Sequence, residues 1–123
     1  PPEECCSEEE IRNRRPRILL TNYRQLEILT TRAADVGMFA ASPLRYLVFD
    51  EAHTYVGATG AEVACLIRRL RTLAGKTPEE VVCIGTSATL ADPSGTDAAV
   101  RRFAARFFGV DPAATVPVGE TYV

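Results

Sequence analysis

Three short apolar runs divide the chain, and amphipathic segments follow each of them. The runs are RILLT at 17–21, YLVF at 46–49 and VVCIG at 81–85. Apolar runs of this length, without alternating polar positions, are typical of parallel strands that are covered on both faces. The pattern therefore predicts three strands of one parallel sheet.

After each run, apolar residues recur at the spacing of a helix that buries one face. The three stripes are Leu26, Leu29 and Ala33; Val63, Leu66, Ile67, Leu70 and Leu73; and Val100, Phe103, Ala104 and Phe107. Asn22, with Gln25 three residues later, resembles a capping box that opens the first helix. Gly75 and Gly109 are expected to end the other two helices. Strands that alternate with such helices predict the α/β fold class, with a parallel sheet flanked by helices.

Polar residues follow each predicted strand. They are Thr21 and Asn22 after the first strand, Asp50 to His53 after the second, and Thr86 to Thr89 after the third. In a parallel sheet the carboxyl ends of the strands lie at one edge, where ligands bind. The adjacent carboxylates of Asp50 and Glu51 are costly to desolvate unless a positive charge lies near them. The sequence therefore predicts a ligand site at this edge.

Charge is unevenly distributed along the chain. The first ten residues hold five glutamates and no basic residue, and four arginines follow before residue 18. We expect residues 1–15 to form an acidic and then basic, flexible leader, and residues 16–123 to form a partial domain. The arginines of LIRRLR at 66–71 and VRRFAARFF at 100–108 are expected to cover solvated helix faces.

No apolar run approaches the roughly 20 residues that cross a bilayer, and the first residues lack the pattern of a signal peptide. We therefore expect a cytoplasmic protein without membrane contact. Cys65 and Cys83 are expected to fill core positions as reduced thiols, because the paired spacing of a zinc site is missing. The AGKT segment at 74–77 lacks the glycine that a phosphate loop needs five residues before Gly75, since that residue is Leu70.

The polar strand ends match the motifs of a known family. VFDEAH at 48–53, followed by TSAT at 86–89, resembles motifs II and III of superfamily 2 DEAD/DEAH-box helicases. ILLTN at 18–22 lies where that family has motif Ib. Over about residues 16–110 the chain resembles bacterial YprA-like DEAH helicases. The resemblance implies an incomplete RecA-like fold of the P-loop NTPase type, namely the carboxyl-terminal half of the first RecA-like domain.

The resemblance also implies roles for individual residues. Asp50 is expected to hold Mg²⁺ through its water shell, and Glu51 to orient and deprotonate the water that attacks the γ-phosphate of ATP, the substrate. His53 is expected to have a coupling role. Ser87, Ala88 and Thr89 form motif III, which couples hydrolysis to movement, while Thr21 and Asn22 contact nucleic-acid phosphates. The implied partners are nucleic acid, with DNA favoured over RNA, and the remaining helicase domains of the same chain.

Other interpretations remain open at the sequence level. The same fold is compatible with an inactive helicase remnant that binds nucleic acid or acts as a scaffold. An unrelated α/β enzyme with a carboxylate pair is a third alternative, but it needs a nucleophile or metal cluster that the sequence does not offer. Because the 123 residues contain no phosphate loop, we expect them to be inactive as an ATPase when isolated.

Overall fold

Two of the three predicted strands pair in parallel. The structure is a computed structural model that describes residues 5, 7–87 and 97–119. Its helices are α1 (Glu8–Arg14), α2 (Tyr23–Thr31), α3 (Ala33–Val36), α4 (Gly57–Ala74) and α5 (Asp97–Phe108), and its strands are β1 (Tyr46–Phe49) and β2 (Val82–Gly85). The two strands run in register from Tyr46 opposite Val82 to Phe49 opposite Gly85. A parallel sheet flanked by helices is the predicted fold class, which is confirmed.

The strand predicted at 17–21 is wrong, because residues 15–22 have no regular secondary structure. An isolated extended segment gains little stability unless a neighbouring strand takes its backbone hydrogen bonds. In the described part of the chain, β1 and β2 pair only with each other. The side chains of Ile18 and Leu20 are correspondingly exposed rather than buried.

The core lies between the sheet and the helices α4 and α5. It consists of Val63, Ile67, Ala104, Phe107 and Phe108, with Leu47, Phe49 and Cys83 packed against it from the sheet. Val63 and Ile67 of the α4 stripe and Ala104 and Phe107 of the α5 stripe therefore belong to this core. Gly75 ends α4 in the left-handed conformation, with a φ of 65°, and its N–H donates to the carbonyls of Arg71 and Thr72. The interpretation of AGKT as a helix stop is thus confirmed.

Only one face of the sheet is covered by the described residues, so the predicted covering of both faces is not seen in them. The side chains on the other face remain largely exposed, with fractional exposures of 62% for Tyr46, 63% for Val48, 52% for Val82 and 43% for Ile84. Parallel sheets are normally buried on both faces. The sheet is therefore incomplete in the described residues.

The first predicted helix is shorter than its apolar stripe suggested. Asn22 begins α2 as expected, because its side-chain oxygen accepts a hydrogen bond from the Gln25 N–H at 2.9 Å. The helix ends at Thr31, so that Ala33 belongs to the separate, four-residue α3. The hydroxyls of Thr30 and Thr31 both donate to the Glu27 carbonyl, and such back-bonding together with β-branching weakens a helix.

Helix α1 contacts α3 through an ion pair. Arg12 donates a hydrogen bond to the buried carboxylate of Asp35, and this bond raises the pKa of Arg12 above its usual value. Arg32 lies 3.4 Å from the second oxygen of Asp35. Since a buried carboxylate needs a cation nearby, these arginines stabilise its charge. Residues 8–14 are thus helical, and the predicted leader of residues 1–15 stays a prediction.

Arg71 departs from the expectation of solvated arginines on α4. Its side chain is buried, and its guanidinium donates to the carbonyls of Phe108 and Gly109 and to the sulfur of Cys83. A cation at the carboxyl terminus of a helix satisfies its last carbonyls and interacts favourably with its dipole. The expected core position of Cys65 is also wrong, because that thiol is exposed, whereas Cys83 is half-buried against the core.

No helix among the described residues is long and apolar enough to span a membrane.

Candidate functional site

The carboxyl ends of β1 and β2 are joined beyond the last residue of each strand. The Thr86 N–H donates to the Phe49 carbonyl at 2.9 Å, and the Ala52 N–H donates to the Thr86 carbonyl at 2.8 Å. These two bonds extend the parallel ladder into the loops. The polar residues after β1 and those after β2 therefore lie side by side, as the strand-end rule predicted.

Asp50 and Thr86 are in direct contact at this edge. The Thr86 hydroxyl donates to Oδ1 of Asp50. The Glu51 N–H donates to the same carboxylate oxygen at 3.2 Å and to the Thr86 Oγ1 at 3.1 Å. Asp50, Glu51 and Thr86 thus form a closed triangle of hydrogen bonds, although all three residues are solvent-exposed.

Glu51 has the left-handed backbone conformation, with a φ of 51° and a ψ of 47°. This conformation costs a non-glycine residue about 1 kcal/mol, so neighbouring contacts must hold it. The contacts on both sides of its Cα are the hydrogen bonds of its N–H and a bond of 2.8 Å from the Thr54 hydroxyl to its carbonyl. The Glu51 carboxylate itself remains about half exposed.

His53 links the first loop to the second. Its Nδ1 lies 3.2 Å from Oε2 of Glu51 and 2.8 Å from Oγ of Ser87. The donor and acceptor roles between Nδ1 and the Ser87 hydroxyl depend on the tautomer of the ring, and the contact with Glu51 is an ion pair only when the imidazole is protonated. The half-buried imidazole of His53 therefore lies between the Glu51 carboxylate and the hydroxyl of Ser87, the first residue of the SAT triplet.

Thr21 and Asn22, the other predicted site residues that the structure describes, are not part of this network. Ala88 and Thr89 lie outside the described residues. The side chain of Asn22 caps α2, and the Thr21 hydroxyl donates to the Asn22 carbonyl at 3.3 Å. The segment that leads into α2 still comes near the loop after β1, because the rings of Tyr23 and Tyr55 meet edge to face with centroids 6.1 Å apart.

The carboxylates fit a magnesium ion that is shared with a phosphate ligand. Mg²⁺ prefers oxygen ligands and keeps several waters, so one or two carboxylates suffice when a phosphate supplies the rest. Asp50 and Glu51 are adjacent and exposed, and the residues described contain no group of three or more potential ligands that could bind an ion on its own. In the described residues, Oδ1 of Asp50 makes both hydrogen bonds of this carboxylate, which leaves Oδ2 for an external ligand.

Sequence reasoning missed the role of Thr86 and of the residues that support the loop. The sequence identifies Thr86 only as a polar residue after a strand and as the first residue of TSAT, and it predicts no separate role for this side chain. The carbonyl of Tyr55 lies so close to Gly60 that a Cβ there would approach its oxygen to 2.5 Å. A glycine at position 60 is thus required by the close approach of two backbone segments, which the sequence pattern does not specify.

Comparison with known proteins identifies the family. The family model of DEAD/DEAH box helicases matches residues 5–96. The chain is 39% identical over 118 residues to the Druantia protein DruE of Escherichia coli (strain UMEA 4076-1), which covers 89% of this chain and 6% of that protein. It is 41% identical over 78 residues to the uncharacterized ATP-dependent helicase YprA of Bacillus subtilis (strain 168), which covers 62% of this chain and 10% of that protein.

The chain therefore spans a small part of the length of these curated relatives. No solved structure matches it at a significant level. The family model covers well over half of the chain, and the sheet flanked by helices is an incomplete RecA-like α/β fold, as the resemblance implied. This chain belongs to the DEAD/DEAH box helicase family.

Proposed function

We propose that this chain is the segment of an ATP-dependent nucleic-acid helicase or translocase that carries motifs Ib, II and III and couples ATP hydrolysis to movement on nucleic acid. The description of one relative as an ATP-dependent helicase supports the use of ATP. The match to the helicase family supports nucleic acid as the partner, and among nucleic acids we favour DNA.

One observation carries the proposal. The two strand ends that hold DEAH and TSAT are joined by five hydrogen bonds between residues 49–53 and 86–87. Three of the five bonds involve side chains, and a simple solvated turn after β1 requires none of these three. Their presence is what a site needs if a change at the carboxylates is to be transmitted to the next loop.

The two carboxylates have different roles in this proposal. Asp50 binds the magnesium that accompanies ATP, through water and its free oxygen Oδ2. Glu51 accepts a proton from the water that attacks the γ-phosphate, because its carboxylate is exposed and oriented by His53. Bound Mg²⁺ supplies positive charge to the phosphate oxygens.

His53 and Ser87 provide the coupling step. A change in the charge near Glu51 alters its contact with His53 Nδ1, and the same nitrogen is hydrogen-bonded to the Ser87 hydroxyl. The loop that begins at Ser87 is thereby able to respond to the state of the nucleotide. Mutation of either residue is expected to reduce the stimulation of hydrolysis by nucleic acid more than the basal rate.

The proposed function is tested on the full-length protein that carries this segment. Hydrolysis of ATP is measured with and without magnesium, and with single-stranded DNA or RNA added. We expect hydrolysis that requires magnesium, that increases when DNA is added, and that increases less with RNA. Binding of nucleic acid without any ATP hydrolysis would instead favour the inactive remnant.

Thr21 provides a separate test of nucleic-acid contact. In the full-length protein, Thr21→Ala is expected to weaken binding of single-stranded DNA to a similar extent for all sequences, because phosphate contacts carry no base information. Binding is measured by fluorescence anisotropy with several unrelated oligonucleotides. A loss confined to one sequence, or no loss at all, contradicts the proposed phosphate contact.

A further inference from the structure

Thr86 lies outside the SAT triplet, yet it contacts each residue from Phe49 to Ala52 through its backbone or its side chain. We infer that Thr86 is a positioning residue, whose hydroxyl orients the Asp50 carboxylate toward magnesium-bound nucleotide and holds the backbone turn at Glu51. The inference rests on the proposed function, because it concerns the same site.

The hydroxyl of Thr86 is both a hydrogen-bond donor and a hydrogen-bond acceptor. It has one proton, which it donates to Oδ1 of Asp50, and its oxygen accepts the Glu51 N–H at 3.1 Å. A hydroxyl can make these two bonds at once, whereas a methyl group can make neither. Thr86 therefore connects the proposed metal-binding residue to the backbone of the proposed base.

The bond to Asp50 determines which carboxylate oxygen is presented to the ligand. Because Oδ1 also accepts the Glu51 N–H, rotation of the carboxylate breaks two hydrogen bonds in the described structure. Hydrogen bonds to an ionised acceptor are stronger than neutral ones. Asp50 is exposed, so without the hydrogen bond from Thr86 its carboxylate is free to take other orientations in solvent.

The bond to Glu51 supports an unfavourable conformation. Glu51 is one of three non-glycine residues with positive φ in the described part of the chain, and it is the one at the candidate site. Its N–H has only Thr86 Oγ1 and Asp50 Oδ1 as acceptors there. Loss of the Thr86 hydroxyl removes the first of these acceptors, and it also removes the hydrogen bond that holds the second, Asp50 Oδ1, in place.

Valine is the substitution that removes the hydroxyl alone. Thr86 makes its other two bonds through its backbone, to Phe49 and Ala52, and these do not depend on the side chain. Valine keeps the β-branched shape, so Thr86→Val retains the ladder between the loops. Thr86→Ser retains the hydroxyl and loses the methyl group, which makes it the conservative variant that restores function.

The experiment uses the full-length protein and a fluorescent, non-hydrolysable ATP analogue as the probe. Binding is titrated against magnesium for the wild type, Thr86→Val and Thr86→Ser. Thr72→Val is the matched control, because Thr72 is exposed on α4 and its hydroxyl donates only to the Arg68 carbonyl in its own helix. Steady-state ATP hydrolysis of the same four proteins is measured alongside.

We expect Thr86→Val to raise the magnesium concentration for half-maximal binding about three- to tenfold and to lower the hydrolysis rate by at least as much, on the scale of one exposed, charge-assisted hydrogen bond. Thr86→Ser and Thr72→Val are expected to remain within about twofold of the wild type. A purely structural role would lower the melting temperature without this change in the magnesium requirement.

Two results overturn the positioning role while leaving the proposed function intact. In the first, the wild type hydrolyses ATP and Thr86→Val has the same magnesium requirement as the wild type. In the second, Thr86→Ser is as impaired as Thr86→Val. A wild type that binds no magnesium-nucleotide overturns both proposals together. If Thr86→Val does not fold, Thr86→Ala is compared with Thr86→Ser by the same titration, and equal magnesium requirements of these two again overturn the positioning role.

Discussion

Gly60 illustrates how single residues shape the candidate site. It lies in the first turn of α4, and the Tyr55 carbonyl approaches it so closely that a Cβ would lie 2.5 Å from the oxygen and 2.9 Å from the carbon. Both atoms belong to the backbone, so they cannot move away as a flexible side chain can. Tyr55 in turn packs against Phe49 and Phe107 through its ring, which fixes the loop that follows His53.

Gly60→Ala is therefore expected to destabilise the protein by about 1–3 kcal/mol, the usual cost of overpacking a well-packed position. Gly37→Ala is the matched control, because a Cβ at Gly37 meets nothing within 4 Å and its φ is −62°. The two variants are compared by thermal unfolding and by hydrogen exchange of peptides that cover residues 50–60. Equal stability and equal exchange for both would contradict the close approach.

At the scale of secondary-structure elements, Arg71 joins α4 to the end of α5. Its buried guanidinium donates to the carbonyls of Phe108 and Gly109. Arg68 lies one turn earlier and donates to the Arg106 carbonyl at 3.0 Å. The two arginines therefore satisfy carbonyls at the carboxyl terminus of α5 that have no partner within that helix.

Arg71→Met is expected to lower the free energy of unfolding by about 1.5–3 kcal/mol, since methionine is similar in length but leaves the α5 carbonyls without their donor. Arg69→Met is the control, because Arg69 is exposed on the same helix. Denaturant unfolding gives the stability, and hydrogen exchange reports whether α5 opens first. If the two variants lose the same stability, the cap does not contribute as described.

Sequence periodicity is sufficient to predict secondary-structure elements whose stability comes from burying one apolar face. The strands β1 and β2 lie within the predicted runs at 46–49 and 81–85, and residues of both the α4 and the α5 stripes form the core, because burial acts on each position in the same way. The strand expected at 17–21 did not form, since strand formation depends on a pairing partner that the local sequence does not contain. The local sequence does not predict the burial of Arg71 for a related reason, because the carbonyls to which it donates lie 37 and 38 residues later.

The candidate site was predictable to a similar degree. The meeting of Asp50 and Thr86 followed from the direction of parallel strands, which places their carboxyl ends at one edge. The use of the Thr86 hydroxyl did not follow, because its contacts depend on the register between two strands. The capping role of Asn22 was predicted from the spacing to Gln25, which is a purely local feature.

At the scale of the whole molecule, the open face of the sheet is the main feature. Tyr46, Val48, Val82 and Ile84 lie on it, and they remain 43–63% exposed in the described structure. The curated relatives are about ten or more times longer than the part that this chain matches. We propose that other parts of the same polypeptide cover this face, and that they complete the nucleotide site.

The isolated 123-residue chain is accordingly expected to show no ATP affinity above background. It contains no phosphate loop, since Leu70 stands where the motif needs a glycine, and the carboxylates alone offer no donor to the phosphates. Isothermal titration calorimetry with magnesium-ATP provides the measurement, and the full-length protein is the positive control. Micromolar binding by the isolated chain would contradict the expectation.

The central claim is that Glu51 is the base and Asp50 the metal-binding residue of an ATPase. Asp50→Asn is expected to weaken magnesium-dependent nucleotide binding as well as turnover in the full-length protein. Glu51→Gln keeps the shape of the side chain and leaves Asp50 intact, but it removes the group that accepts the proton. Glu62→Gln is the matched control, because Glu62 is an exposed glutamate of α4.

The most direct test is steady-state ATP hydrolysis of full-length Glu51→Gln, measured with nucleic acid present and beside its nucleotide affinity. We expect affinity close to that of the wild type and hydrolysis lower by about two to four orders of magnitude, the usual contribution of a general base. Glu62→Gln is expected to match the wild type in both. Near-normal, nucleic-acid-stimulated turnover by Glu51→Gln would contradict the account and favour the scaffolding role.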